Sequence, residues 1–228
     1  MKITRIIATV AAMSALVSCT FVHVNGKLGN KFIKGEGEML EKAYNIGEVR
    51  HLTCNVPAEL TIKAGGPSLT LDTYQNIHEA LSVVSERGEL VIKGLDDCNF
   101  RDTKLKIELS CGSIETMEVN GAVDLKTPDG LAVGDISIVI NGAFNWETDG
   151  LTGNSMKLVV NGAGNCNISG IDIKTMDLKV NGAGKLELAG KADKVDACLD
   201  GAGNIDVKNL KCDDVSADVN GLGTVKRN

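Results

Sequence analysis

Apolar and polar residues alternate in a fixed order around a short motif that recurs six times in the second half of the chain. The motif reads Asn-Gly-Ala or a close variant, and its copies begin at Asn120, Asn141, Asn161, Asn181, Asp200 and Asn220. One and three residues before each copy, and five residues after it, the side chain is apolar, whereas the residues between these positions are mostly polar. Alternation with a period of two predicts β-strands that bury one face.

The spacing of the motif predicts how these strands are arranged. Successive copies lie 21, 20, 20, 19 and 20 residues apart, and a constant period indicates one structural unit stacked on copies of itself. Helical repeats fit poorly, because they usually run to about 34 residues or more and because each glycine costs a helix about 1 kcal/mol. We therefore predict an all-β fold, a right-handed parallel β-solenoid (β-helix) with coils of about 20 residues. The handedness follows the preference of parallel crossover connections.

The Asn-Gly pair is expected to form a structural turn in each coil. Glycine readily adopts the positive φ that sharp turns require, which assigns this role to Gly121, Gly142, Gly162, Gly182, Gly201 and Gly221. Stacking places the asparagines over one another, so their side-chain amides can form a ladder. Asp200 is expected to interrupt the ladder while still accepting hydrogen bonds from neighbouring amides.

Residues 38–115 carry strand patterns without the repeated motif. The predicted strands are Val49–Cys54, Leu60–Lys63, Leu69–Asp72, Leu81–Val84, Leu90–Lys93 and Lys104–Leu109. We interpret this segment as irregular N-terminal coils of the same solenoid or as a small β cap over its first coil, and residues 116–228 as the regular repeat. A faint helical pattern over Asn76 to Glu86 is discounted in favour of strands.

The first residues resemble the signal peptide of a bacterial lipoprotein. Lys2 and Arg5 precede an apolar stretch that is too short to span a bilayer, and Leu16-Val17-Ser18-Cys19 resembles a lipobox. The resemblance implies that residues 1–18 are removed and that Cys19 carries fatty acyl chains such as palmitate. Residues 19–37 are then a lipidated tether. Because Thr20 is not aspartate and no acidic cluster follows, the resemblance implies the outer membrane, with its periplasmic face favoured over the cell surface.

The net charge limits the classes of partner. Processing would remove two of the 24 basic residues and none of the 30 acidic ones, which moves the formal charge from −6 to −8. Such a chain lacks the basic footprint of a nucleic-acid-binding protein, and its charge opposes binding to anionic polysaccharide or anionic lipid headgroups.

Residue types that support catalysis or metal binding are scattered. The histidines show no metal-ligand spacing and are predicted to lie on the surface: His23, His51 and His78. Neighbouring acids such as Asp213 and Asp214 point to opposite faces of a strand. Lysines at both ends of the column six residues after the motif argue against a calcium ladder. We predict no catalytic residue, no cofactor and no metal.

The six cysteines beyond Cys19 invite disulfides in an exported protein. They are Cys54, Cys98, Cys111, Cys166, Cys198 and Cys212. Cys166 and Cys212 fall in inward columns and Cys198 in an outward one, so these three do not stack within bridging distance. Free thiols that mostly fill core space are predicted, and a bridge between Cys98 and Cys111 stays open.

Aromatic residues make up 3% of the chain, and two of them share one coil. Phe144 and Trp146 either fill core space left by smaller residues in the next coil or form an aromatic platform at the edge of the solenoid. The outward residues Val139 and Val159 lie on neighbouring coils, and they complete a candidate contact patch with the two rings.

Taken over residues 35–228, the chain resembles the putative auto-transporter adhesins with a "head GIN domain" from bacterial envelopes. The resemblance rests on Gly35-Glu36-Gly37, on Leu90-Val91-Ile92 and on the Val-Asn-Gly-Ala-Gly sequences at Val160–Gly164 and Val180–Gly184. It implies adhesion and brings no catalytic residues.

These observations predict a non-catalytic envelope lipoprotein, an adhesin-like or ligand-binding solenoid whose partner is a glycan or a protein. An end-to-end scaffold is the alternative, because no amphipathic segment follows the last coil to cover its strand edges; copies could then pair through the solenoid ends as a homodimer. A polysaccharide-active enzyme is a third possibility, and it would need acidic or basic groups converging in a lateral groove.

Overall fold

The computed structural model describes residues 32–95 and 98–227 and shows an all-β fold with one short helix. The predicted signal peptide, Cys19 and His23 lie outside the described residues. The elements are β1 Phe32–Lys34, β2 Met39–Tyr44, β3 His51–Asn55, β4 Ala58–Ala64, β5 Ser68–Tyr74, α1 Gln75–Ala80, β6 Leu81–Glu86, β7 Glu89–Gly94, β8 Asn99–Arg101, β9 Lys106–Cys111, β10 Thr116–Thr127, β11 Leu131–Ala132, β12 Asp135–Thr148, β13 Leu151–Gly201, β14 Asn204–Lys211, β15 Asp214–Val219 and β16 Thr224–Lys226.

The repeats stack as parallel strands in the predicted register. β10 pairs with β12 from Thr116↔Ser137 to Thr127↔Thr148, and each motif residue faces its counterpart, as in Asn120↔Asn141. β12 continues onto β13 in the same way. β13 is a run of 51 residues in strand conformation that contains the motif copies at Asn161 and Asn181 and ends within the copy at Asp200. We call each stacked repeat a rung.

The inward columns form the core of the stack. In the column one residue before the motif, five of the six side chains are at most 2% exposed: Val119, Ile140, Val160, Val180 and Leu199. Full burial of such a side chain stabilises the fold by about 1.5–3 kcal/mol. Val219, the sixth member, is 38% exposed because no described residue lies over the last rung.

The motif asparagines form the predicted side-chain ladder. The amide of Asn181 donates to Asn161 Oδ1 at 2.7 Å, Asn161 to Asn141 at 2.8 Å, and Asn141 to Asn120 at 2.7 Å. The ladder also continues beyond the repeat, which the sequence did not predict. Asn120 donates to Asn55 Oδ1 at 2.7 Å, and Asn55 lies in a part of the chain without the motif.

Asp200 interrupts this ladder as expected. Its carboxylate has no proton to donate to Asn181, and it instead accepts from the Asn220 amide at 3.1 Å. Lys179 Nζ lies 3.6 Å from the other carboxylate oxygen. The Asn220 hydrogen bond, helped by Lys179 and opposed by desolvation, lowers the pKa of Asp200.

The motif glycines satisfy two separate requirements. The first requirement is the predicted positive φ, which occurs at four of the six motif glycines, including Gly121 at 139° and Gly182 at 153°. The prediction is wrong for Gly162 and Gly221, which are outside the positive range. A Cβ on Gly162 would nevertheless overlap the carbonyl oxygen of Gly142 in the rung below. A Cβ on Gly182 would likewise overlap the carbonyl oxygen of Gly162. Close stacking of the backbones therefore demands glycine even where φ does not.

All six strands predicted between residues 49 and 109 are present, as β3, β4, β5, β6, β7 and β9. Their layers do not follow chain order. β3 lies between β7 and β10, and β4 lies between β9 and β10, all in parallel. The β3–β4 layer is therefore enclosed by a layer formed later in the chain and by the first rung. The division of the chain at residues 37 and 115 stays a prediction.

The N-terminal end of the stack is closed by a cap. β5 pairs antiparallel with β9 and β2 with β5, while β6 pairs antiparallel with β7 and β1 runs parallel to β8. α1 connects β5 to β6 across this end. The strand interpretation is therefore wrong for residues 76–80, which belong to the six-residue helix α1. A helix this short carries no clear helical period.

His78 of α1 corrects the prediction that the histidines lie on the surface. It is 6% exposed, its Nε2 donates to Leu40 O at 2.8 Å, and its Nδ1 lies 3.3 Å from the Tyr44 hydroxyl. These bonds attach strand β2 to the helix. His51 is half-buried, with Nδ1 2.9 Å from Thr116 Oγ1.

Candidate functional site

A shallow, open cleft of about 540 Å³ lies where the cap meets the first rungs. Four layers line it, through residues 57–59, 102–105, 122–124 and 143–145. In β10 and β12 the lining residues directly follow the motif asparagine and glycine. The regular stack supplies one wall, and the loop before β9 supplies the other.

The floor of the cleft is apolar and built from small side chains. Ala122 and Ala143 are in-register partners and exposed, and behind them lie the partners Val123 and Phe144, 4% and 6% exposed. The ring of Phe144 extends towards Gly164 in the rung above, where a Cβ would come within 2.8 Å of its Cδ1. Gly164 therefore provides the space that the ring occupies.

One wall of the cleft carries a hydrogen-bonded polar pair. Asn145 Nδ2 donates to Asp124 Oδ1 at 3.2 Å, and Lys126 Nζ lies 3.7 Å from Asp124 Oδ2. Glu59 stands beside Asp124 in the next layer. This wall thus presents two adjacent carboxylates and an amide towards the opening.

The opposite wall is a short loop with unusual backbone geometry. Asp102 and Lys104 have φ of 51° and 47°, a left-handed conformation that non-glycine residues seldom adopt. Between them the carbonyl of Thr103 accepts a hydrogen bond of 2.8 Å from the buried Thr73 hydroxyl, which holds the loop against the cap. Three of the ionisable side chains that line the cleft are acidic and one is basic, so its net charge is negative.

This arrangement suits binding by shape and hydrogen bonds. An apolar floor with a few polar groups at its rim is the usual construction of a ligand site. Within residues 32–95 and 98–227, no group of three or more His, Cys, Asp or Glu side chains could hold a metal ion.

The candidate contact patch does not form a single surface. Val139 and Val159 are in-register partners on the outer face and half-buried. Phe144 and Trp146 point inward and are 6% and 1% exposed, so the aromatic platform is wrong and the rings fill the core. Trp146 stacks on the smaller Cys166. Only Phe144 reaches the cleft, through its position in the floor.

Sequence reasoning missed the cleft because one of its walls comes from the irregular segment. No pattern places Asp102 and Lys104 beside Asp124, since the layers between them are out of chain order. The one available signal was the exposed alanine that follows each of the first five motif glycines, which leaves the floor free of large side chains.

All six described cysteines are free, so the alternative bridge between Cys98 and Cys111 is wrong. Cys54, Cys111 and Cys166 are buried, and the other three are half-buried. Burial raises the pKa of Cys54 to about 11, against a weaker opposing effect of its bond to the Val56 carbonyl, and it also raises that of Cys166.

Comparisons with known proteins place this fold. A family model described as "Putative auto-transporter adhesin, head GIN domain" matches residues 50–228. Among curated proteins, none matches the chain. No helix among the described residues has both the length and the apolar character needed to cross a membrane.

Three solved structures share the fold at low sequence identity. A putative lipid binding protein from Parabacteroides distasonis has a TM-score of 0.74 at 17% identity, with 87% of this chain and 100% of that chain covered. A putative adhesin from Bacteroides fragilis has a TM-score of 0.69 at 17% identity, with 86% of this chain and 100% of that chain covered. A second protein from P. distasonis, a putative adhesin, has a TM-score of 0.57 at 15% identity, with 87% of this chain and 100% of that chain covered. None of these descriptions names an enzyme.

Proposed function

Because the chain belongs to the family described as "Putative auto-transporter adhesin, head GIN domain", we propose that it is a non-catalytic, adhesin-like binding protein of the bacterial cell envelope. Its rungs form a right-handed parallel β-solenoid that holds the binding surface rigid. Acyl chains on Cys19 anchor it in the outer membrane.

The cleft between the cap and the first rungs carries this proposal. Its alanine floor is flat enough to pack against the C–H face of a sugar ring, with Phe144 filling the space behind. Asp124 and Glu59 accept hydrogen bonds from hydroxyl groups, and the Asn145 amide can donate as well as accept. The negative net charge disfavours acidic sugars. We therefore propose uncharged glycans as the ligands.

A titration of the purified protein with neutral and acidic oligosaccharides tests this function. Asn145→Ala removes an amide at the rim of the cleft, and it should weaken binding of the neutral glycan about tenfold, equivalent to roughly 1.4 kcal/mol. Asn165→Ala is the matched control, because Asn165 is the in-register partner of Asn145 and lies outside the cleft. Equal effects of the two substitutions, or binding of acidic glycans alone, would contradict the proposal.

Anchoring and location need a separate test in cells. Cys19→Ala should release the protein from the membrane fraction, and a variant that remains membrane-bound would refute lipidation. Protease treatment of intact cells should then leave the native protein uncut until the outer membrane is permeabilised, as expected for the periplasmic face. Cleavage on intact cells would instead place it on the surface.

End-to-end assembly of copies is a second candidate function, favoured by apolar side chains on the last described rung. Leu222 is 88% exposed and Val219 is 38% exposed. Sedimentation should show oligomers that grow with concentration and are lost in Leu222→Lys. A monomer at every concentration would exclude this function without affecting the glycan proposal.

A further inference from the structure

The N-terminal end of the stack exposes apolar side chains around its rim. Among the described residues, β2 and β6 each pair with one strand only and are edge strands of the cap, and β1 pairs with β8 in a separate two-stranded sheet. Phe32 on β1 is 57% exposed, Met39 on β2 is 40% exposed and Val84 on β6 is 43% exposed. Leu95 is 42% exposed, and its N–H bonds to the Ala80 carbonyl at the end of α1.

This distribution is uneven along the molecule. Four of the six exposed large apolar side chains among the described residues belong to the cap, and the other two, Val219 and Leu222, belong to the opposite end. Single exposed apolar residues are common on soluble proteins, but a concentration at one end indicates a contact surface.

The start of this surface is held rigidly to the cap. Asn76 of α1 donates through Nδ2 to the carbonyl of Lys34 at 2.7 Å, and its Oδ1 accepts from the N–H of Glu36 at 3.0 Å. These two bonds fix the backbone that follows β1. Phe32 is further positioned by Arg101, whose guanidinium carbon lies 5.0 Å from the centre of its ring. The apolar rim is therefore part of the folded body.

We propose that this end of the protein rests on the lipid bilayer, with the exposed side chains of the rim inserted among the headgroups. The length of chain before Phe32 selects the bilayer as the occupant. Phe32 follows Cys19 by 13 residues, which span at most about 45 Å when fully extended. The inference rests on the proposed function in one respect, the lipid anchor at Cys19. Anchoring keeps the membrane at high effective concentration beside this end.

The charges of the cap indicate the kind of headgroup. Between residues 32 and 44 and between 75 and 86, five acidic side chains stand against two lysines: Glu36, Glu38, Glu41, Glu79 and Glu86, with Lys34 and Lys42. A surface with this net negative charge is repelled by an anionic membrane, so zwitterionic lipid is the expected partner. Arg101 beside Phe32 provides a guanidinium that can reach lipid phosphate. Docking in this way points the rungs away from the membrane, with Leu222 at the distal end.

Fluorescence quenching in vesicles tests this orientation. Full-length acylated protein is reconstituted into phosphatidylcholine vesicles with and without brominated acyl chains, and Phe32→Trp is compared with Leu222→Trp. Both positions are exposed and apolar, and the buried Trp146 gives the same background in each. Bromolipid should quench the added emission of Phe32→Trp by at least about twofold and leave that of Leu222→Trp unchanged.

Val84→Trp provides a second probe on another side of the rim and should behave like Phe32→Trp. Equal or absent quenching at both ends, in protein that sediments with the vesicles, would overturn the docking and leave the anchor intact. Wild-type protein that fails to sediment with vesicles would overturn both. Replacing a third of the phosphatidylcholine with an anionic lipid should not strengthen the quenching, and stronger quenching would contradict the choice of zwitterionic lipid.

Discussion

The two requirements on the motif glycines can be separated by single alanine substitutions. Gly121 has φ of 139°, and the nearest atom to an added Cβ is at 3.6 Å, an ordinary contact distance, so Gly121→Ala tests backbone strain alone. Gly162→Ala tests overlap with the rung below alone, because Gly162 is outside the positive-φ range. Gly182→Ala combines the two. Gly134→Ala is the control, since Gly134 has neither positive φ nor a neighbour within 4 Å.

The expected magnitudes follow from these differences. Strain at a φ reserved for glycine costs about 1–3 kcal/mol, and forcing an extra carbon into a packed contact costs a similar 1–3 kcal/mol. Gly121→Ala and Gly162→Ala should each fall in that range, and Gly182→Ala at about 2–6 kcal/mol if the two effects add. Gly134→Ala should be neutral, or stabilising by up to about 1 kcal/mol, because it restricts the unfolded chain.

Urea unfolding followed through Trp146 measures all four variants. Trp146 is the only tryptophan and is 1% exposed, so its emission reports loss of the core. In a domain of this size, 1 kcal/mol also corresponds to about 2–4 °C in Tm. If Gly162→Ala matched the Gly134→Ala control, the overlap argument would be refuted. If Gly121→Ala matched it, the strain argument would be refuted.

Further predictions concern the amide ladder and the thiols. Asp200→Asn restores a donor to Asn181 and should raise Tm at neutral pH; a lower Tm would show that the Lys179 pair outweighs the ladder. Because the folded-state pKa of Asp200 is lowered, its ionised form stabilises the fold above its unfolded pKa of about 3.9, and this is lost as pH falls through the lower folded value. Asp200→Asn should therefore lose less stability below about pH 4 in acid titrations. Iodoacetamide at pH 8 should leave the buried Cys166 unmodified in the native protein and label the half-buried Cys198, as read by mass spectrometry; rapid labelling of Cys166 would indicate that the core opens.

The regular part of the fold could be predicted from the sequence because its information is local. The alternation around each motif assigns the buried face, and the constant period assigns the register, so that Asn120, Asn141 and Asn161 align as expected. Stacking neighbours are one period apart in the sequence, and a pattern that repeats with that period specifies the contact directly.

The cap and the cleft could not be predicted because their contacts are not local. Nothing in the sequence of β3 indicates that its neighbours are β7 and β10, since one comes more than 30 residues later and the other more than 60. His78 was misplaced because a six-residue helix shows no readable period. The inward orientation of Phe144 depends on the space left by Gly164, a packing relation between two rungs. The strain at Asp102 has no local sequence signal either.

The layer order at the cap also determines how the protein can change in length. From β10 onward, each rung contacts only the rungs before and after it, so a duplicated or deleted unit of about 20 residues shifts later rungs without changing any register. The β3–β4 layer allows no such change, because it is enclosed on both sides by segments that follow it in the chain. Relatives of different length should therefore differ by whole rungs beyond β12, while the cleft, which draws on the cap and the first two rungs, keeps its geometry. Evolution can set the distance between the two ends of the molecule independently of the site.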